Sequence, residues 1–185
     1  MIITIAGKPG SGKSSLGREL QRLLGFKRYY IGGMYRKIAE DLGISLEELE
    51  KRDEKEFFAD KIVDEKIVQL AKEKDNIIIE GRTAFHFVPR SIKIFLDVDL
   101  HVGTRRILKE SLAGNRPTEN YGSEEELYKS VVRRYHSDQQ RYMKYYGFDC
   151  YDTSKFDIVI NTSNQTLPEV LEKVLNELKK HNVLR

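Results

Sequence analysis

The chain has 185 residues, of which 39% are hydrophobic and 33% charged, and its net charge at pH 7 is +3. This composition excludes a disordered protein, and no apolar stretch approaches the roughly 18 residues of a membrane span. The small net charge also argues against a nucleic-acid scaffold. The length suits one domain with one sizeable core, so we expect residues 1–185 to form a single domain.

The start of the chain and its cysteine content indicate a cellular setting. The first residues form an apolar run, without the basic n-region and apolar h-region of a signal peptide. Cys150 is the only cysteine, so an internal disulfide cannot form. We therefore expect a cytoplasmic monomer without membrane or nucleic-acid partners.

The first predicted elements are a strand at residues 1–6, a glycine-rich loop and a helix. The loop, Gly7-Lys8-Pro9-Gly10-Ser11-Gly12-Lys13-Ser14, fills the pattern G-x-x-x-x-G-K-[ST] at every fixed position. Leucines then recur at spacings of three and four, which predicts a helix directly after the loop. The order strand, glycine loop, helix is the one this motif requires, and it disfavours the alternative of a chance glycine-rich turn.

The residue types of the loop suit triphosphate binding. Glycines let successive N–H groups point at phosphate oxygens, and the start of the following helix adds a positive field. Lys13 can reach the β- and γ-phosphates, and the Ser14 hydroxyl can ligate Mg²⁺. We therefore predict that Mg²⁺ and ATP bind here, with ATP contacting Gly7, Lys8, Pro9, Gly10, Ser11, Gly12, Lys13, Ser14 and Ser15.

The rest of the chain alternates strands and helices. Strands are predicted at residues 27–31, 76–80, 92–96 and 156–160. Helices are predicted at 34–42, from Ser45, and at 54–74, 100–113 and 124–146, with a polar loop at 114–123 and a last helix from Thr166. Short strands separated by helices predict an α/β fold, a three-layer α/β/α sandwich with a five-stranded parallel sheet. Ligands in such folds bind beyond the carboxyl ends of the strands.

One acidic residue stands at the end of a predicted central strand, in Glu80-Gly81-Arg82. A carboxylate at this position can bind Mg²⁺ through water, as the acidic residue of a Walker-B strand does. Gly81 permits a sharp turn that brings Arg82 over the site. The alternative is a carboxylate that merely caps the strand.

The long predicted helix carries Arg134, Asp138 and Arg141 on one side. Spacings of four and seven place the three residues within about 60° of one another. They border the apolar stripe, so Asp138 could hold an arginine in place for bidentate phosphate binding. An exposed ion pair along the helix explains the spacing equally well.

Taken together, these blocks resemble the cytidylate kinases, especially the short archaeal-type branch of the nucleoside monophosphate kinases. The resemblance covers nearly the whole chain and implies a P-loop nucleoside triphosphate hydrolase-like fold of the nucleoside monophosphate kinase type. It rests on the glycine loop, Gly33-Met34-Tyr35-Arg36, Glu80-Gly81-Arg82, residues 92–97, the Arg134/Asp138/Arg141 spacing and Tyr146-Gly147-Phe148-Asp149.

The resemblance implies a role for particular residues. Asp138 would orient Arg134 and Arg141, Asp64 would read the cytosine edge, and Arg106 would lie near ATP. Residues 32–74 would form the monophosphate-binding part and residues 110–123 the lid. The CMP phosphate and the transferring phosphoryl group would be held by Arg36, Arg82, Arg134 and Arg141, the last three of which would be catalytic together with Lys13.

The sequence leaves the acceptor open. UMP, dCMP, AMP or a small metabolite could replace CMP, and Ile31 stands where bacterial relatives have a serine. A further alternative is a non-catalytic ATP-binding regulator, for which the tyrosine-rich residues 142–151 would be a partner surface.

Overall fold

The computed structural model describes residues 1–114 and 121–181. Within these ranges five parallel strands form one sheet in the order β2-β3-β1-β4-β5. The strand that precedes the glycine loop therefore lies at the centre of the sheet. The strands are β1 (Ile2–Gly7), β2 (Lys27–Tyr30), β3 (Ile77–Glu80), β4 (Ile92–Asp97) and β5 (Ile158–Asn161).

Helices cover both faces of this sheet, which confirms the predicted three-layer α/β/α fold. Alternate residues of each strand face opposite sides, so Ile3 and Ile78 pack against the first and last helices, whereas Ile77 and Ile79 pack on the other face. The helices are α1 (Lys13–Leu24), α2 (Ile31–Leu42), α3 (Leu46–Glu56), α4 (Ala59–Glu73), α5 (Ala84–Phe87), α6 (Leu100–Leu112), α7 (Glu124–Tyr146) and α8 (Leu167–Lys180).

The prediction of one continuous helix at 54–74 is wrong, because the helix is interrupted at residues 57–58, between α3 and α4. Phe57 has a φ of 47°, a left-handed conformation that cannot continue a helix. The buried Asp53 carboxylate accepts the N–H groups of Phe58, Ala59 and Asp60 at 2.8–2.9 Å, and so caps the start of α4. Asp53 also accepts the hydroxyl of Tyr35 at 2.9 Å, which ties this corner to α2.

The start of the second helix and one short helix also differ from the prediction. The second helix begins at Ile31 rather than at residue 34, so Gly32 and Gly33 lie inside it. A side chain at Gly33 would come within 2.8 Å of the Tyr30 ring, and glycine therefore lets the ring pack on the first turn. The short helix α5 was not predicted, because its few residues carry no periodic pattern.

The predicted long helix is confirmed as α7, with its N-cap at Ser123, whose side chain accepts the N–H of Glu126 at 3.1 Å. Of the predicted lid at 110–123, residues 115–120 lie outside the described residues. In the ranges that the structure describes, none of the helices combines the length and the apolar character that crossing a bilayer needs.

Candidate active site

The glycine loop at the end of β1 is packed too tightly for side chains at two of its glycines. Gly7 has a φ of 146° and Gly10 one of 72°, both in the region that favours glycine. An added Cβ at Gly7 would lie 2.2 Å from the carbonyl oxygen of Leu96, and one at Gly10 would lie 2.2 Å from that of Gly103. The loop is therefore clamped between β4 and α6, which sets its curvature before any ligand binds.

Lys13 lies at the mouth of this loop. Its ammonium group donates to the carbonyl oxygens of Gly7 at 2.9 Å and Lys8 at 2.7 Å. It is the first residue of α1, so it stands at the positive end of a helix that is open to an anion. A triphosphate in the loop would replace these carbonyl contacts with charge-assisted ones.

Arg106 braces the loop from α6. Its guanidinium donates to the hydroxyl of Thr162 at 3.0 Å and to the carbonyl oxygen of Thr162 at 2.7 Å. The Thr162 hydroxyl lies 3.1 Å from the carbonyl oxygens of Ser11 and Asp97. Through Thr162, Arg106 thus connects the helix that leads to the predicted lid with the glycine loop.

Glu80 at the end of β3 is 2% exposed and faces α1. Its carboxylate forms an ion pair with Arg28 of β2 and lies so close to Gly17 that an added Cβ there would meet its oxygen at 1.8 Å. Gly17 is one turn beyond Ser14, the predicted magnesium ligand.

Within the described ranges no three His, Cys, Asp or Glu side chains could hold a metal by themselves. One carboxylate and one hydroxyl, completed by phosphate oxygens and water, nevertheless fit Mg²⁺.

Two predicted arginines converge on Asp138, which is fully buried in α7. Arg82 Nε lies 2.8 Å from Asp138 Oδ2, and Arg141 Nη2 lies 3.0 Å from Asp138 Oδ1. The Arg82 side chain is 28% exposed and that of Arg141 only 2%. The alternative of an exposed ion pair along the helix is therefore excluded.

Arg141 is also held by groups outside this pair. Its Nε lies 2.7 Å from Asp60 Oδ2, and its Nη1 donates to Ser137 at 2.7 Å. The hydroxyls of Tyr142 and Tyr151 donate to Asp60 at 3.0 Å and to Asp138 at 2.7 Å. Burial raises the pKa of both tyrosines, so they remain protonated donors.

The partner expected for Arg134 is wrong. The second guanidinium beside Asp138 is that of Arg82, whereas Arg134 Nε lies 2.7 Å from Glu50 Oε1. Glu50 is 2% exposed and also accepts from Arg133 at 2.9 Å. The turn of α7 that carries Arg134 packs against α3, and this places it beside the Glu50 carboxylate. The predicted monophosphate-binding part and the helix after the lid are thus joined.

Asp64 lies on α4, one turn beyond Asp60, and is 3% exposed. It accepts the hydroxyl of Thr83 and, at 2.7 Å, that of Tyr146. Burial raises its pKa from an ordinary value to about 7, although the two hydroxyl donors act in the opposite direction. It borders a groove that is also lined by Phe57, Lys61, Glu65, Val68, Phe87 and Tyr146.

The raised pKa of Asp64 predicts a pH-dependent stability. Between about pH 4 and pH 7 the folded protein keeps a proton on Asp64 that the unfolded chain has released, so stability falls as the pH rises through this range. Relative to Asp64→Asn, the wild type should lose up to about 1.4 kcal/mol of unfolding free energy per pH unit between pH 5 and 7.

Urea unfolding at pH 5, 6, 7 and 8 would measure this difference. Burial also raises the pKa of Asp60, but this carboxyl group is present in both proteins. Its contribution to the pH dependence therefore largely cancels when the two stabilities are subtracted. Parallel stability profiles for the wild type and Asp64→Asn would show that Asp64 does not titrate as expected.

Arg36 on α2 is half-buried and directed at β2. It donates to the hydroxyl of Tyr30, and its guanidinium lies 5.8 Å from the centroid of the same ring. Its position on the predicted monophosphate-binding part agrees with the expectation for the acceptor phosphate, which remains a prediction.

The sequence analysis missed the acidic partners of the arginines. Glu50 and Asp60 precede Arg134 and Arg141 by 84 and 81 residues, and a single sequence carries no signal that pairs them. The only available hint was the four-residue spacing of Asp60 and Asp64, which places both on one side of α4.

Several solved structures that are similar to this chain are kinases. A shikimate kinase from Bacteroides thetaiotaomicron superposes with a TM-score of 0.65 at 19% identity and 98% coverage of both chains. A gluconokinase from Sinorhizobium meliloti gives a TM-score of 0.59 at 13% identity, covering 97% of this chain and 91% of the other. At these identities the likeness shows the fold alone.

Sequence comparisons are more specific. Residues 2–164 match the Cytidylate kinase-like family. The cytidylate kinase of Sulfurisphaera tokodaii is 34% identical over 99% of both chains. That of Pyrococcus abyssi is 36% identical over 88% of this chain and 85% of its own length. With the phosphate loop and the arginines around Asp138 in place, we conclude that the chain belongs to the cytidylate kinase-like family.

Proposed function

We propose that this protein transfers the γ-phosphoryl group of ATP to CMP, or to dCMP, and releases ADP and the corresponding diphosphate. A phosphate oxygen of the acceptor attacks the γ-phosphorus in line. The bond to the β–γ bridging oxygen breaks, and its electron pair leaves with ADP. The acceptor phosphate is already an anion, so no general base is needed, and the rate depends on positioning and charge neutralisation.

The donor phosphates would lie in the glycine loop, with Lys13 beside the β- and γ-phosphates. Ser14 and, through water, Glu80 would hold Mg²⁺, which neutralises charge on the phosphate oxygens when it is bound. The close packing of the glycine loop and the hydrogen bonds of Arg106 and Thr162 hold the loop in one conformation. Such preorganised groups lower the barrier because they need not reorient during the reaction.

The observation that carries this proposal is the convergence of Arg82 and Arg141 on buried Asp138 in a chain with an intact phosphate loop. Asp138 holds the Arg82 guanidinium while that side chain stays 28% exposed. Arg82 can therefore meet the transferring phosphoryl group, with Arg134 and Arg36 at the acceptor phosphate. Arg141 is buried, so it would act without touching the substrate, through the positive charge that it adds beside Asp138 and Arg82.

The cytosine ring would lie beside Asp64. The groove at Asp64 has apolar walls from Phe57, Phe87 and Tyr146, which suit a flat ring. A carboxylate can accept a hydrogen bond from the exocyclic amine of cytosine, whereas uracil offers an oxygen at that position. The groove and the carboxylate support a preference for CMP over UMP.

The cellular setting and assembly form part of the same proposal. Each side chain assigned here comes from one chain, so a monomer would be complete. The only cysteine, Cys150, is a buried free thiol, which suits the reducing cytoplasm.

A panel of acceptors in a coupled ADP-release assay with Mg²⁺ and ATP tests the reaction. The panel contains CMP, dCMP, UMP, AMP, shikimate and gluconate, and Lys13→Met is the inactive control. We expect CMP or dCMP to exceed each other acceptor in kcat/KM by at least about tenfold, a difference of about 1.4 kcal/mol in the barrier.

Two other results would reject the proposal in different ways. A tenfold preference for AMP or for a non-nucleotide would refute the acceptor while keeping the chemistry. Tight ATP binding without transfer to any acceptor would favour the non-catalytic regulator.

A further inference from the structure

The side chain of Lys8 distinguishes this phosphate loop. The backbone of Lys8 belongs to the loop, since its N–H donates to Leu96 at 3.2 Å and its carbonyl oxygen accepts from Lys13. Its ammonium group lies 2.7 Å from Asp97 Oδ1, at the end of β4, and 5.9 Å from the centroid of the Tyr135 ring on α7. The loop therefore carries a second cation in addition to Lys13, and this cation lies between the loop and α7.

This cation lies on the side of the loop that faces the arginine cluster. Tyr135 follows Arg134 directly and stacks on Tyr151 with ring centroids 4.4 Å apart. Tyr151 in turn donates to Asp138, the carboxylate that holds Arg82. A continuous set of contacts thus joins the Lys8 ammonium to the groups assigned to the acceptor and the transferring phosphoryl group.

The partner of Lys8 can release it. The Lys8 and Asp97 side chains are 25% and 29% exposed, and an ion pair at such a position contributes little net free energy. Asp97 Oδ1 also accepts the N–H of Val98 at 2.9 Å, so the carboxylate keeps a donor when Lys8 moves away. Arg141 differs, because it is buried and bound to Asp60, Ser137 and Asp138.

We propose that Lys8 is a further catalytic residue, whose ammonium group leaves Asp97 and contacts the transferring phosphoryl group once both nucleotides are bound. The inference rests on the proposed function and deepens it. Charge on that group spreads over its equatorial oxygens in the transition state, and a cation that arrives there stabilises the transition state more than the bound ATP.

Three variants distinguish this catalytic role from a purely structural one, in which Lys8 only connects the loop to β4 through its ion pair with Asp97. Lys8→Met removes the charge at similar length, Lys8→Arg retains a charge, and Asp97→Asn removes the partner while leaving the cation. Lys129→Met, on the exposed side of α7, is the matched control. For each protein we would measure kcat and KM, the dissociation constant of a non-hydrolysable ATP analogue, and the melting temperature.

If Lys8 contacts the transition state, Lys8→Met lowers kcat at least about 30-fold, while analogue affinity stays within about threefold. Lys8→Arg should recover most of the loss, and Asp97→Asn should retain kcat within about threefold of the wild type. Lys8→Met turnover within about threefold of the wild type overturns the proposal. An equal loss in Asp97→Asn, or a loss confined to ATP affinity, also overturns it.

The comparison does not depend on the identity of the acceptor. Each variant is assayed with whichever acceptor of the panel the wild type turns over best. An active wild type with an unaffected Lys8→Met refutes only the role of Lys8. A wild type that turns over none of the acceptors refutes this inference together with the proposed function.

Discussion

Replacing Lys13 with methionine is expected to lower turnover by at least about a hundredfold, the effect of removing one preorganised charge from a developing anion. The Lys13 ammonium lies at the mouth of the glycine loop, where it donates to the carbonyl oxygens of Gly7 and Lys8 and, at 3.4 Å, to the hydroxyl of Ser11. We expect the loss to appear mainly in kcat, with a smaller change in folding stability.

Steady-state assays on the best acceptor, combined with thermal unfolding, would measure both quantities. Lys129→Met serves as control because Lys129 forms an exposed ion pair with Glu125 on α7. We expect its turnover and its melting temperature to match those of the wild type. Turnover of Lys13→Met within about threefold of the wild type would falsify the assignment of the phosphate loop.

Replacing Arg141 with methionine is expected to destabilise the protein by about 3–5 kcal/mol, since it leaves the buried Asp60 carboxylate without its cation and Asp138 with Arg82 alone. Arg141 is 2% exposed, and its partners Asp60 and Asp138 are 2% and 0% exposed. Turnover of the folded fraction should also fall at least about a hundredfold, because the cluster around Arg82 loses a charge.

Denaturant unfolding of Arg141→Met and of Arg141→Met/Asp60→Asn would test the physical cause. The second substitution removes the carboxylate that lost its cation, so the double variant should regain part of the lost stability. Arg105→Met, at an exposed position of α6, is the control and should change stability by less than about 0.5 kcal/mol. A loss below about 1 kcal/mol in Arg141→Met would show that the buried pairs do not carry the expected energy.

The predictions of secondary structure were most accurate where the pattern was local. The apolar run before the glycine loop and the leucines after it indicated β1 and α1, and the long helix was predicted with its bounds. The break at Phe57 was not predicted. The apolar spacing of residues 54–74 continues through it, and only the Asp53 carboxylate, by capping α4, makes the break favourable.

The secondary structure around the predicted site residues was anticipated, but the pairing of their side chains only in part. The motif placed Lys13 and Ser14 at the start of a helix, and the spacing placed Arg134, Asp138 and Arg141 on one side of α7. Which carboxylate faces which guanidinium depends on how α3, α4 and α7 pack, and Glu50 took the place expected for Asp138 beside Arg134.

The sequence by itself determined the phosphate loop and the parallel sheet, because these depend on short-range patterns of glycine, apolar and charged residues, and its resemblance to the cytidylate kinases indicated phosphoryl transfer. Only the tertiary structure decided the partners of Arg82, Arg134 and Arg141 and the raised pKa of Asp64. Contacts between residues more than 50 positions apart, and the burial of charge that they produce, arise from packing, which no local pattern encodes.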